Sequence, residues 1–272
     1  MIDKKFIFLA GHHRSGTSLL HEIIREHPSI SGLSDTGVPE DEGQHLQTVF
    51  EPANAFGGPG KYIFHPKSYM DENHALATSH SAEMIMQQWG KYFDQAGEHY
   101  IEKSPPNLIR TRFLQKLFPN SRFVVILRHP LAVSYATQKW SGTSIKSLLE
   151  HSLLGYEIFM KDMEYLRHVY VLRYEEFVAN PQTEVDKIFG FLGLRSSPIK
   201  QVVNASANEK YLSMWESSRT RWINRILLPV DIHLETRANR FGYSISRCRE
   251  LLGSSLLGAH HNPIPPAAQA NA

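Results

Sequence analysis

The stretch FIFLAGHHRSGTSLLHEIIREHP, residues 6–28, changes character in its middle. Phe6 to Ala10 form an unbroken apolar run that ends at Gly11, the pattern of a strand buried on both faces, predicted over 5–10. From Thr17 onward Leu19, Leu20, Ile23 and Ile24 recur at helical spacing until Pro28, which predicts a helix over 17–27. A glycine-bounded loop, Gly11 to Gly16, joins the two. The first turn of a helix leaves backbone N–H groups free and carries the positive end of the helix dipole, so such a junction attracts an anion. Glycine lets the backbone curl close to it.

From Gly11 the residues run G-H-H-R-S-G-T-S, close to the phosphate-loop pattern G-x-x-x-x-G-K-[ST]. The lysine that should follow Gly16 is absent, and Thr17 stands there. In nucleoside triphosphate sites that lysine reaches the β- and γ-phosphates. Its loss argues against a β/γ pair, and Arg14 upstream is able to fork onto a nearer anion with two parallel hydrogen bonds. Ser15, Thr17 and Ser18 add hydroxyl donors.

Further strands and helices alternate along the chain. Residues 34–70 are broken by Gly and Pro and read as loop. A helix is expected over 72–97, a short strand over 98–103, and a helix after the paired prolines Pro105 and Pro106. SRFVVILRHP carries the clearest strand, 121–128, whose apolar run suits a central parallel position. Helices are expected from 130 and over 144–166, where Leu148, Leu149, Leu153, Tyr156, Phe159 and Met163 form one stripe. A strand over 169–172 and a helix over 182–192 follow. The fold class expected is α/β, one domain with a central parallel sheet flanked by helices, spanning 1–258. The Pro/Ala-rich tail, 259–272, is expected to be disordered.

Lys plus Arg number 29 against 27 Asp plus Glu, so net charge gives no reason to expect a nucleic-acid partner or a polybasic membrane contact. Cys248 is the only cysteine, which rules out an internal disulfide and suits a reducing compartment. The apolar run at the N-terminus is shorter than the ~7–15 residues of a signal-peptide core, and no stretch approaches the ~20 of a membrane helix. The expected location is the cytoplasm. The 15 histidines are scattered without metal-ligand spacing, and no metal site is expected.

Three further stretches turn these observations into a family resemblance. H-R-S-G-T-S at 13–18 resembles the 5′-phosphosulfate loop of sulfotransferases that use 3′-phosphoadenylyl sulfate (PAPS), in the arginine form of the tyrosylprotein and bacterial branches. RFVVILRHPLAVSYA, 122–136, is similar to that family's 3′-phosphate site, with Arg128 ending a strand and Ser134 on the next helix. YIEKSPPN, 100–107, resembles the E-K-[ST]-P segment of heparan-type members, and VLRYEEFVANPQTEVDKIFGFLGL, 171–194, the family's core helix. The resemblance implies a P-loop-like sulfotransferase fold, PAPS as donor, adenosine 3′,5′-bisphosphate as product and no metal requirement.

It also implies roles. Arg14, Ser15, Gly16, Thr17 and Ser18 would hold the 5′ group, and Arg128 with Ser134 the 3′-phosphate. Arg14 is counted with the catalytic set, and Lys103 would sit near the transferring sulfuryl group. Counting on from His27-Pro28 lands on Asp35, beside Thr36, where the tyrosylprotein branch places its base; Asp35 is the first choice. Glu40, Asp41, Glu42, His45 and His74 are its rivals, with His45 retained in the catalytic set. A late basic and aromatic stretch supplies Lys210, Tyr211, Arg219 and Arg221 as candidates to close over the nucleotide. Its other reading is a helix face that packs Trp215 and Trp222 into the core. Phe56, Tyr62 and Phe64 suggest an apolar or aromatic acceptor pocket, hence a small-molecule or lipid-like hydroxylated acceptor, with a protein tyrosine or a sugar left open. Two other classes stay open: a P-loop small-molecule kinase and a non-catalytic nucleotide-binding relative.

Overall fold

The computed structural model describes residues 4–94, 96–220 and 231–262. Its centre is a six-stranded sheet whose first strand, β1 (Lys5–Ala10), lies in the middle. The others are β2 (Ile30–Gly32), β3 (His99–Lys103), β4 (Arg122–Leu127), β5 (His168–Arg173) and β6 (Gly258–His261), in the spatial order β2-β3-β1-β4-β5-β6. All neighbours pair parallel except β6, which runs antiparallel to β5. The α/β architecture with a parallel centre agrees with the reading of the sequence.

Alternation along the strands builds two cores. Phe6, Phe8, Phe123 and Val125 face one layer, while Ile7, Leu9, Val124 and Ile126 face the other. The first layer is closed by α2 (Ser79–Trp89), α3 (Thr111–Leu117), α4 (Pro130–Ser141) and α5 (Ile145–Met163), which contribute Trp89, Phe113, Leu131 and Tyr156. The second is closed by α1 (Thr17–Arg25), α6 (Tyr174–Ala179) and α7 (Pro181–Leu192), through Leu20, Ile24, Phe177 and Ile188. Each such side chain contributes about 1.5–3 kcal/mol on leaving water. That two-sided burial explains why the strands read as unbroken apolar runs.

Several expected boundaries move. The helix expected over 72–97 covers only Ser79–Trp89. Asp71 and His74 accept from the backbone N–H groups of Asn73 and Leu76, and the Thr78 hydroxyl caps the helix by accepting from Ser81 N at 3.1 Å. These local side-chain bonds offer the chain a turn in place of a helix. β2, three residues long on the edge of the sheet, was not foreseen in the stretch after Pro28. The tail expected to begin at 259 starts instead with β6, so ladder bonds hold the chain as far as His261. Residues 263–272 lie outside the described residues. The described part of the late stretch forms α8 (Glu209–Thr220).

Because β1, β3, β4 and β5 run parallel, their C-terminal ends open on one edge of the sheet. The loop after β1, Lys103 at the end of β3, Arg128 just after β4 and Tyr174 just after β5 are thereby gathered at that edge, where α/β sheets bind ligands. No helix among the described residues is long and apolar enough to cross a membrane.

Candidate active site

The loop between β1 and α1 is held tight by its own backbone. Ser15 N donates to His12 O at 3.0 Å, and Gly16 caps α1 in the left-handed region, with φ of 97°. A side chain at Gly16 would be strained by that φ and would place its Cβ 2.5 Å from Tyr174 Cδ2. Gly11 is equally crowded, since a Cβ there would lie 2.6 Å from Ser15 Oγ. Arg14 also adopts positive φ, 66°, and presents an exposed guanidinium that lies 4.9 Å from the Trp140 ring. The Ser15 hydroxyl is buried without a partner. An orphaned donor below a glycine cradle at a helix start suits an anion.

Arg128 closes the other side. Its side chain is buried, with Nη1 donating to Arg14 O at 2.6 Å and Nε to Asn208 Oδ1 at 2.8 Å. The guanidinium stacks on Tyr174 at 4.1 Å, and Tyr211 lies 5.9 Å away. Asn208 is set by Glu175, which accepts from Asn208 Nδ2 at 2.6 Å and from His129 N at 2.9 Å. Arg14, Gly16, Thr17, Ser18, Arg128, Trp140 and Tyr174 line one cavity of about 260 Å³.

Glu40, Glu42, Pro105, His13 and Leu19 complete that cavity. Lys103 is buried behind them, with Nζ donating to Glu40 O at 2.9 Å, Glu42 Oε1 at 3.2 Å and Ser18 Oγ at 3.4 Å. Ser18 Oγ in turn donates to Glu40 Oε2 at 2.8 Å. Burial pushes the Glu42 carboxyl above the ordinary carboxylate range, against the pull of Lys103. One layer deeper, Glu102 accepts from Gly43 N at 3.0 Å and Asn107 Nδ2 at 2.6 Å, and from Ser104 Oγ. Its carboxyl is raised to about 7, first by burial and partly by Glu42. The result is a lysine and a glutamate in contact at the wall of a cavity that also presents Arg14 and Arg128, a pair suited to moving a proton beside a charged group.

A model of the sulfotransferase family matches residues 7–198, most of the chain and all of these site elements up to α7. The chain belongs to the sulfotransferase family. Among solved structures of sulfotransferases it resembles the domain from the curacin biosynthetic pathway, at 16% identity and a TM-score of 0.53 over 89% of this chain and 98% of that one. Sulfotransferase STF1 from Mycobacterium tuberculosis H37Rv is similar at 17% identity and a TM-score of 0.54, covering 86% of this chain and 76% of the other. Among curated proteins, nodulation protein NoeE of Sinorhizobium fredii (strain NBRC 101917 / NGR234) is 23% identical over 212 residues. That alignment takes in 68% of this chain and 49% of NoeE, so the chain spans about half the length of that relative.

Within this member of the sulfotransferase family the sequence-expected residues divide. Arg14, Gly16, Thr17, Ser18 and Arg128 meet at the cavity, with Ser15 buried in the same loop and Lys103 bonded to Ser18 and Glu42. Asp35 does not join them. It lines a separate depression with Glu22, Arg25, Asp94 and Gln201, on a loop that turns away at a φ of 53°. Ser134 also stands apart from them: its buried hydroxyl lines a narrow pocket with Thr137 and His151 rather than the Arg14–Arg128 cavity.

Of the rival bases, Glu42 is at the cavity, with His45 Nε2 3.9 Å from its Oε2. Glu40 reaches the cavity too, but its carboxylate is engaged by Ser18. Asp41 accepts from Thr36 N and Oγ1 at 2.9 and 2.6 Å; burial works to raise its carboxyl, yet the Thr36 donors hold it below its ordinary range. His74 packs edge-on against Phe113, in the turn before α2. In α8, Tyr211 approaches Arg128, whereas Lys210 lies over Tyr211 and Arg219 over Trp215. Trp215 is buried and donates to Ile245 O at 2.9 Å, so the packing reading of this helix holds for that side chain. Arg221 and Trp222 lie outside the described residues.

Tyr174, Asn208, Glu175, Trp140 and Glu102 were missed as site residues. Tyr174 and Glu175 open α6 within the stretch similar to the family's core helix, and a strand-end position was their only signal in the sequence.

Proposed function

We propose that the protein moves the sulfuryl group of PAPS to a hydroxyl of a small acceptor, with Glu42 in place of Asp35 as the general base. The observation that carries this reading is the meeting of Arg14 and Arg128 over one cavity that Glu42 lines, with Lys103 on the Glu42 carboxylate. The Arg14 loop, with its free helix-start N–H groups and the Ser15 hydroxyl, suits the 5′ phosphosulfate. Arg128, held flat between Tyr174 and Asn208, suits a second anion such as the 3′-phosphate.

Transfer forms a bond between the acceptor oxygen and sulfur as the bond from sulfur to the 5′-phosphate oxygen breaks, leaving adenosine 3′,5′-bisphosphate. Glu42 takes the acceptor proton; its raised carboxyl makes it a better proton acceptor than an exposed glutamate. Lys103 offsets the charge that builds during transfer, as positioned cations do in phosphoryl transfer. A cavity lined by Arg14 and Arg128, with Lys103 behind it and no lysine after Gly16, offers an anionic donor charge compensation without a metal.

The test is calorimetry with adenosine 3′,5′-bisphosphate and with ATP, each with and without magnesium. The reading requires tight, magnesium-independent binding of the bisphosphate. Preference for ATP with magnesium would instead point to a kinase.

A further inference from the structure

Beside the Arg14–Arg128 cavity lies a second, narrow pocket between α4 and α5. It is lined by His12, His13, Ser134, Thr137, His151 and Ser152, with Gly60 and Leu148 along its side, and holds about 10 Å³. That is room for about one water-sized oxygen. His13 lines both cavities, so the two are neighbours across its ring.

Its polar atoms converge without partners. His12 Nδ1, His13 Nδ1, Ser134 Oγ, Thr137 Oγ1 and His151 Nε2 are all buried and unbonded, as is the hydroxyl of Tyr62, whose ring stands edge-on to His13 and His151. Native interiors satisfy the great majority of such groups, and each exception requires a reason. Glycines keep the space open: a Cβ at Gly60 would lie 2.4 Å from Leu148 Cδ2, and one at Gly155 would lie 2.5 Å from His12 Cε1.

The character of the occupant follows from the tautomer of His12. His12 Nε2 lies 2.8 Å from the carbonyl oxygen of Ser152, so it carries the hydrogen and donates. In the neutral ring Nδ1 is then an acceptor and calls for an O–H or N–H. Burial lowers His12 to about 4 and His151 well below its ordinary value, so both rings are neutral at pH 7. A carboxylate brings no hydrogen for Nδ1, and no cation lines the pocket to offset its charge. An ammonium would be stripped of water among neutral groups with no carboxylate to pair it. A hydroxyl both donates and accepts and carries no charge.

We infer that this pocket binds a second, non-reacting hydroxyl of the acceptor, and that the acceptor is therefore an uncharged molecule with at least two hydroxyls, such as a diol or a glycoside. The inference rests on the sulfuryl-transfer reading above, and its test separates the two. Transfer from labelled PAPS is measured to a panel of simple diols and methyl glycosides, to matched mono-alcohols, and to counterparts in which one hydroxyl is replaced by carboxylate or ammonium. Calorimetry with adenosine 3′,5′-bisphosphate is run on the same preparations.

Uncharged polyols should be preferred at least about tenfold in kcat/KM over both the mono-alcohols and the charged counterparts. Thr137→Val keeps the side-chain shape and removes one hydroxyl; it should raise the polyol KM about three- to tenfold, with bisphosphate affinity and Tm unchanged. Ser134→Ala should do the same, which guards against a folding defect in either variant. Equal turnover of charged acceptors, an unmoved KM in both variants, or no transfer to any uncharged polyol by protein that binds the bisphosphate would each overturn the inference. Failure to bind the bisphosphate would remove the donor reading itself, and this inference with it.

Discussion

The Arg128 guanidinium grips the Arg14 backbone, its Nη1 donating to the Arg14 carbonyl oxygen at 2.6 Å. Arg128 is therefore both a candidate anion ligand and a brace for the loop that carries Arg14 in its left-handed conformation. Arg14→Ala and Arg128→Ala should each weaken adenosine 3′,5′-bisphosphate binding by ~1.5–3 kcal/mol, the usual loss for a charged hydrogen bond. Because the two residues touch, the double variant should depart from additivity by about 0.5 kcal/mol or more. Arg128→Lys should not restore binding, since one ammonium cannot reproduce the fork onto Asn208 and Arg14 while lying flat on Tyr174. Calorimetry on the four proteins of the cycle checks this; strict additivity would show that the brace does not matter for binding.

Glu42 and Lys103 form the second relationship, 3.2 Å apart with both side chains buried. Glu42→Gln should lower kcat by about 10²–10⁴ while leaving bisphosphate affinity nearly unchanged. In the wild type, activity should fall as pH drops through the raised carboxyl of Glu42, at a higher pH than an exposed glutamate would give, and this acid limb should vanish in Glu42→Gln. Lys103→Met should lower kcat more than donor affinity and move the acid limb to still higher pH, because Glu42 then loses its neighbouring cation. An unchanged acid limb in Glu42→Gln would assign the proton to another group.

How far the sequence disclosed this site depends on what kind of bond made each part. The anion loop was legible because one local segment carries all of it: an apolar strand, two glycines and a helix start. Arg128 and Lys103 were legible because each stands at the C-terminal end of a strand, and parallel pairing brings strand ends together. Asp35 lies away from the cavity because counting along a loop assumes its path. The chain turns at Asp35, Glu40 and Asp41, all at positive φ, and returns Glu42 rather than Asp35 to the cavity. Ser134 is set apart for a related reason: the sequence places it on α4, but which face of that helix meets the cavity is set by packing against α5. Asn208 and Glu175 act through contacts between distant segments, and no local pattern marks such contacts.

Gly16 links the loop to the start of α6. Gly16→Ala meets two obstacles at once, a φ of 97° and a Cβ 2.5 Å from the Tyr174 ring. Left-handed strain alone costs about 1–3 kcal/mol. Displacing Tyr174 would also remove the surface on which Arg128 stacks, so binding should fall with stability. Gly16→Ala with Tyr174→Leu separates the two effects: Tm should recover in part, while bisphosphate affinity stays low because the ring under Arg128 is gone. Full recovery of binding in the double variant would show that the ring only fills space.

Glu102, fully enclosed below Glu42, gives the protein a stability signature in pH. Its carboxyl lies at about 7 when folded, above the ordinary glutamate value, so the folded state holds this proton more tightly than the unfolded chain. Below about pH 4.3 both states are protonated and the site imposes no penalty. As pH rises toward 7 the unfolded chain releases its proton while the folded protein keeps it, and stability falls; above about pH 7 a penalty on the order of 3 kcal/mol is fully present. Glu102→Gln keeps an acceptor for Gly43 N and Ser104 Oγ but has no proton to release. Urea unfolding at pH 5, 6, 7 and 8 should show a wild-type stability that declines across this window relative to Glu102→Gln. Parallel curves for the two proteins would mean that Glu102 already shares water, and that the floor of the Glu42–Lys103 site is wet.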